Sequence, residues 1–325
     1  MPEPAYDVVG IGNAIVDVLS HAEDAFLEAH ALPKGAMTLI DHDRAGRLYD
    51  VMGPAIEMSG GSAANTIAGL ASFGAACGFI GKVRADQLGE VFAHDIRSLG
   101  VRFDTPPAAD GPSTARSLIV VTPDAQRTMA TFLGASAGLG PEDVDQALIG
   151  AAKVTYLEGY LWDPPRAKDA FRRAIEIAHG AGRRVALTLS DRFCVERWRA
   201  EFQALVAGTV DILFANESEL ESLYQAASFD EALQAVRGKC EVAVLTRSEK
   251  GSVIVAGEEV HVIDAEPVAR VLDTTGAGDL YAAGFLYGYT RRRPLADCGR
   301  LGSRAAAEVI SHFGARPEID LRTLL

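Results

Sequence analysis

The stretch RVLDTTGAGDLYAAGFLYGY, residues 270–289, decides how this chain is read. It reads as a strand end, a glycine-bearing turn and then an apolar helical segment. Asp279 follows Gly276-Ala277-Gly278 where the chain enters that helix. Two readings of Asp279 stand side by side. A carboxylate in the first turn of a helix can cap free amides and suits the positive end of the dipole. A glycine-rich turn feeding a helix also gathers unpaired N–H groups, and such nests bind anions. A carboxylate beside an anion nest is electrostatically awkward unless it has a task there. Taking a proton from a hydroxyl that attacks phosphorus is such a task.

The rest of the sequence narrows the class. With 325 residues the chain can bury a full core. A formal net charge of -13 argues against general nucleic-acid affinity, which needs a positive face, but leaves room for a local phosphate site. The N-terminal residues lack a basic region followed by an apolar run, and no apolar run reaches membrane-spanning length. The four cysteines, Cys77, Cys194, Cys240 and Cys298, show neither metal-ligand nor disulfide spacing. Free thiols in a reducing cytoplasm are the simplest expectation.

Working outward, the first clear strand is YDVVGIG, residues 6–12, followed by Asn13 and Asp17 in NAIVDV. A short strand is expected near residues 37–40. A glycine turn and a helix of small residues are expected over 59–74. A hairpin is expected from 114–122 and 126–134 around a Pro-Asp turn. From residue 153 onward, strands alternate with helices, which predicts a largely parallel sheet covered on both faces. Ligands of such sheets lie at the carboxyl ends of the strands. Polar residues follow the predicted strands repeatedly there: Glu158, Ser190-Asp191, Asn216 with Glu217 and Glu219, and Thr246-Arg247-Ser248. The GIGNAI stretch lacks the third glycine of a dinucleotide fingerprint, and no P-loop or protein-kinase motif is present.

DTTGAGD at 273–279, with GGSAANTIAGLASFG at 60–74 upstream, resembles the ribokinase-like sugar and nucleoside kinases, the PfkB carbohydrate kinase family. The resemblance runs over nearly the whole chain. It implies a single α/β ribokinase-like kinase domain over residues 1–325, with a mostly parallel central sheet flanked by helices. It also implies a small β-sheet lid formed by excursions at about 14–50 and 109–134.

By this resemblance Asp279 is the catalytic base and Gly276, Ala277 and Gly278 form the anion hole. Asn13, Asp17, Gly61 and Asn65 match acceptor-site positions. Asn216 and Glu219 match a motif that organises Mg2+, phosphate and water. Thr246, Arg247 and Gly251 match the loop facing the ATP phosphates, with Ser248 standing where glycine is usual. Asp273 and Thr275 match a monovalent-cation (K+) position, and the turn at 312–317 is expected to close over the nucleotide base.

The four-residue step from Asn13 to Asp17, together with LPKGAMTLID and VLTRSEKGS, resembles bacterial adenosine kinase-like members, and Met37 and Phe132 are expected in the lid over a base. The expected reaction is ATP-dependent phosphorylation of a nucleoside 5'-hydroxyl, adenosine to AMP. A kinase of ribose or a related sugar is the alternative. The partners are then small molecules, with no nucleic acid and no membrane. A monomer and a homodimer paired through the lid fit equally well.

Overall fold

The computed structural model describes residues 3–124 and 126–325. Ala125, in the turn of the expected hairpin, lies outside the described residues. In chain order the strands are β1 (Tyr6–Ile11), β2 (Ile15–His21), β3 (Met37–Leu39), β4 (Ala55–Gly60), β5 (Cys77–Ile80), β6 (Ala115–Val121) and β7 (Arg127–Phe132). They continue with β8 (Ala152–Glu158), β9 (Arg184–Thr188), β10 (Ile212–Asn216), β11 (Val242–Thr246), β12 (Ser252–Ala256) and β13 (Glu259–Ile263).

Eight of them form one sheet in the order β13-β12-β11-β10-β9-β8-β1-β5. The six strands from β11 to β5 pair in parallel, and β12 and β13 add an antiparallel hairpin at one edge. Alternate side chains of these strands feed two separate cores. Val8, Tyr156, Phe214 and Val244 enter one, and Val9, Leu157, Leu213 and Leu245 enter the other. This is why the strands read as continuous apolar runs. The carboxyl ends of β1, β8, β9, β10 and β11 share one edge of the sheet, as the sequence requires of the polar residues that follow them.

A second, five-stranded sheet has the order β3-β7-β6-β2-β4. The expected pieces, the strand near 37 and the 115–132 hairpin, are its outer half. Its inner half is less legible. β2 emerges from Asn13 almost without a turn, pairs parallel with β6 and antiparallel with β4, and is buried on alternate residues. β4 lies beyond the first predicted excursion, and its residues Ala-Ile-Glu-Met-Ser-Gly carry no clean alternation.

Register divides this small sheet into two faces, because successive residues point to opposite sides. Met37 pairs with Met129, Met129 with Ile119, Ile119 with Leu19, and Asp17 with both Met58 and Ser117. These residues therefore share one face with Asp17. Phe132 is three positions from Met129 and lies on the opposite face, where its ring meets His42 edge-on at 5.5 Å. Val18, Leu118, Val120 and Ala130 on that face join the core with Leu48 of the helix His42–Val51. The expectation that Met37 and Phe132 cover one ligand together is thus corrected: they are on opposite sides of a pleated sheet.

Candidate active site

The question raised by Asp279 is answered by its hydrogen bonds. The helix Ala277–Thr290 has Gly276 as its N-cap, with no side-chain cap. The Asp279 carboxylate turns away from the helix end: Ser62 Oγ donates to Oδ1 at 2.6 Å and Asn65 Nδ2 donates to Oδ2 at 3.1 Å. Both donors belong to the helix Ser62–Ser72, whose N-cap is Gly61. The two glycine motifs, more than 200 positions apart in sequence, are thereby brought into one site. Burial raises the Asp279 pKa, while the bonds from Ser62 and Asn65 and the charge of Arg316 oppose that rise. A carboxylate moved upward in this way is a better match for a proton acceptor near neutral pH.

The turn before Asp279 leaves backbone amides unpaired. Gly276 has φ +79°, and a Cβ there would stand 2.8 Å from Ala315 Cα. The position therefore requires glycine on both conformational and steric grounds. With the helix starting at Ala277, the amides of Gly278 and Asp279 have no carbonyl one turn back to bond. Upstream, the expected strand end is irregular chain instead. Leu272 N donates to Ile310 O, so the segment is held by the end of a neighbouring helix rather than by the sheet.

The residues matched in sequence to acceptor positions gather next to this pair. Asn65 Oδ1 is buried and has no hydrogen-bond partner among the described residues, so it can offer an acceptor to a ligand hydroxyl. Asn13 is fully buried and is itself held: its Nδ2 donates to Glu158 Oε1 at 2.6 Å and its Oδ1 accepts from Ser136 Oγ at 2.9 Å. Glu158 also accepts from Asn13 N and from Ala63 N. It is the central polar anchor of the site, joining the ends of β1 and β8 to the start of the helix Ser62–Ser72. In the sequence it stood only as one of several residues after a strand. A clue was present in Gly12, where a Cβ would collide with Glu158 Oε2 and with Ala63.

Burial raises the Asp17 pKa to about 6; Arg316 and Arg127 pull it down and Asp279 pushes it further up. Burial likewise moves Glu158 up to about 7, against its three hydrogen bonds. Both groups hold protons in the fold at pH values where the unfolded chain has released them. Stability therefore falls as pH rises through this window. For Glu158 alone the shift corresponds to roughly 3 kcal/mol between the unfolded and folded pKa values. Melts of the unliganded protein are expected to show a lower Tm at pH 8 than at pH 5.5.

Two arginines unassigned from the sequence reach this site. Arg127 of β7 places Nη1 2.9 Å from Asp273, and Arg316 donates from Nη2 to Ser59 O and Oγ at 2.8 and 2.9 Å. Two other arginines lie elsewhere. Arg116 stacks over Tyr49, and Arg166 pairs with Glu142 on the surface. The 312–317 turn carries Arg316 against Ser59 and within the field of Asp95, Asp17 and Asp279.

A family model described as pfkB family carbohydrate kinase matches residues 56–321. The chain belongs to the pfkB family. Among solved structures it is similar to an adenosine kinase from Sinorhizobium meliloti, 55% identical, with 98% of each chain covered and a TM-score of 0.91. It is also similar to a probable sugar kinase from Rhizobium etli, 52% identical, covering 99% of this chain and 98% of that one, with a TM-score of 0.92. A curated relative described as an ATP-dependent ribose-1-phosphate kinase, from Halopiger xanaduensis, is 30% identical over 71% of this chain and 73% of its own.

A pfkB kinase uses ATP, and the residues matched to a nucleotide site lie at the ends of β10 and β11. Asn216 and Glu219 form a reciprocal capping box. Asn216 Oδ1 accepts from Glu219 N, and Glu219 accepts from Asn216 N and Nδ2. Burial pushes Glu219 up to about 7, with Asp191 adding to the rise. Among the described residues no group of three or more His, Cys, Asp or Glu side chains is placed to hold a metal ion. An Mg2+ accompanying the nucleotide would be held chiefly by phosphates and water, and Glu219 would reach it through water. Bound there, the ion would neutralise phosphate charge.

The Asp273 carboxylate, matched in sequence to a K+ position, has both oxygens engaged. Thr275 N donates to one, and Gly314 N and the Arg127 guanidinium to the other. This side chain does not fit a potassium ligand, since a guanidinium already supplies the positive charge; Thr275 contributes its amide to the same arrangement.

In the loop after β11, Arg247 Nη2 is held by Glu217 at 2.9 Å and its guanidinium lies 3.9 Å above the Phe229 ring. The backbone departure flagged in the sequence is real. Ser248 adopts φ +51°, the left-handed conformation that glycine takes without steric cost, while Gly251 closes the turn at φ +79°. Ser248 is exposed. Ser248→Gly is therefore expected to be neutral or to stabilise by up to about 1 kcal/mol, relief of left-handed strain being offset by unfolded-chain entropy. A thermal melt checks it, and a clear loss of stability would contradict the strain assignment.

Proposed function

We propose that this pfkB kinase phosphorylates the 5'-hydroxyl of adenosine, giving AMP and ADP. The observation that carries the chemistry is the Asp279 carboxylate, held by Ser62 and Asn65 directly after the Gly276-Ala277-Gly278 turn. The acceptor oxygen forms a bond to the γ-phosphorus of ATP, and the bond from that phosphorus to the β–γ bridging oxygen breaks. The hydroxyl proton passes to Asp279, and ADP leaves. Amides of the turn stabilise charge on the transferring oxygens, which is the usual means of accelerating this reaction.

Two observations support a nucleoside. The similarity to the Sinorhizobium meliloti adenosine kinase extends over 98% of both chains. The face of the small sheet that carries Asp17 holds an apolar cluster of Leu19, Met58, Ile119 and Met129, together with the polar Ser117, Thr131 and Arg127. A carboxylate for ribose hydroxyls next to an apolar surface for a base is the chemistry a nucleoside needs. Ribose or a related sugar is the second reading, favoured by the similarity to sugar and sugar-phosphate kinases.

The deciding experiment measures phosphate transfer from ATP with Mg2+, comparing adenosine, inosine, ribose and fructose 6-phosphate at matched concentrations. Adenosine is expected to react with much the highest kcat/KM. Efficient turnover of a sugar with adenosine inert would transfer the reading to the second class.

A further inference from the structure

The Arg316 guanidinium is anchored at one end and free at the other. Nη2 donates twice to Ser59, and Ser59 is fixed in turn by Asp95, which accepts from its amide and hydroxyl. Nε and Nη1 are buried and have no partner among the described residues. A buried donor without a partner costs about 1–3 kcal/mol, more when charged, so such an arrangement calls for a ligand oxygen. Because guanidinium is planar and rigid, fixing Nη2 also fixes the direction of the two free nitrogens.

Their surroundings identify the ligand. Arg316 follows Ala315, whose Cα lies against Gly276 of the anion-hole turn. The carboxylates that feel its charge are Asp95, Asp17 and Asp279. From the small sheet, Arg127 crosses the other way. Its Nη1 bonds Asp273 in the body, and its own Nε and Nη2 are buried and without a partner among the described residues. The two guanidinium groups thus span the boundary between the small sheet and the body in opposite directions, each leaving two donors free beside Asp17.

We propose that Arg316 holds the phosphoryl group during transfer, donating from Nε and Nη1 to its non-bridging oxygens. An acceptor already carrying a phosphate there would set a permanent dianion beside the base, whereas the transferred group arrives there in every cycle. This inference rests on the phosphotransferase reading of Asp279 and its turn, and not on which alcohol is the acceptor.

The test compares wild type, Arg316→Met and Arg316→Lys, after melts establish that each is folded. Calorimetry measures adenosine and AMP, and separately ribose and ribose 5-phosphate; steady-state assays give kcat and KM. In Arg316→Met, kcat is expected to fall about a hundredfold and the phosphorylated member of the pair to bind about tenfold more weakly, with the unphosphorylated member nearly unchanged. Lysine is expected to restore part of the loss.

Equal weakening of both members, or an unchanged kcat, would make Arg316 a structural strap and overturn the proposal. So would a wild type that prefers ribose 1-phosphate as acceptor with Arg316→Met raising only its KM, since the arginine would then serve a phosphate already on the substrate. Failure of wild type to bind adenosine removes the nucleoside reading alone, and Arg316 is then judged on the sugar pair.

Discussion

Asp279→Asn is expected to lower kcat by about a hundred- to ten-thousandfold, the range spanned by positioned general bases. Acceptor affinity should be nearly preserved. The amide can keep both neighbours, accepting from Asn65 Nδ2 through its oxygen and donating to Ser62 Oγ through its nitrogen, in place of the two bonds the carboxylate accepts. The fold should survive, and the sign of the stability change follows from the raised pKa. A carboxyl group that ionises less readily in the fold than in the unfolded chain weakens the fold as pH rises past its unfolded value. The neutral asparagine removes that effect, so the variant should melt at or slightly above the wild-type temperature at pH 8. A kinetic assay paired with a melt at that pH checks both parts. Turnover near the wild-type rate would remove Asp279 from the role of base.

Glu158→Ala is expected to be the most damaging single change to the architecture of the site. It strips a partner from Asn13 N, Asn13 Nδ2 and Ala63 N, all in a region closed to water. Leaving such donors unpaired should cost about 3 kcal/mol or more, with a matching fall in Tm. Asn13 would lose its anchor, so the acceptor KM should rise by about tenfold or more while ATP binding changes little. Glu158→Gln separates geometry from charge. It keeps the shape, but its NH2 group faces donors, and it should flatten the fall in stability between pH 5.5 and 8. If Glu158→Ala retained both stability and acceptor KM, the anchoring role would be refuted.

How much of this was legible before folding depends on whether the signal is local. The parallel sheet could be read because its strands are buried on both sides and appear as unbroken apolar runs between helices. The glycine turns could be read because positive φ and close backbone approach leave few other residues acceptable, as at Gly276. The small sheet was half legible. β2 and β4 are less legible because β2 continues from β1 past Asn13 almost without a turn, and β4 grades from exposed to buried along its length with no alternation. Phe132 was placed on the wrong side because the face of a strand depends on its register with a partner distant in sequence.

The sequence by itself determined the α/β class, the glycine turn at 276–278 and the carboxylate at its end, while the resemblance to the family joined the second glycine motif to them. These follow from backbone sterics and from the pairing of residue type with chemistry. Only the tertiary structure decided what each polar group does with its hydrogen bonds. It turned Asp279 from a helix cap into a partner of Ser62 and Asn65. It made Glu158 the anchor of Asn13, occupied Asp273 with Arg127, and left two nitrogens of Arg316 free. Hydrogen bonds are satisfied over about 3 Å in space, without regard to separation along the chain, so no local pattern could have assigned them.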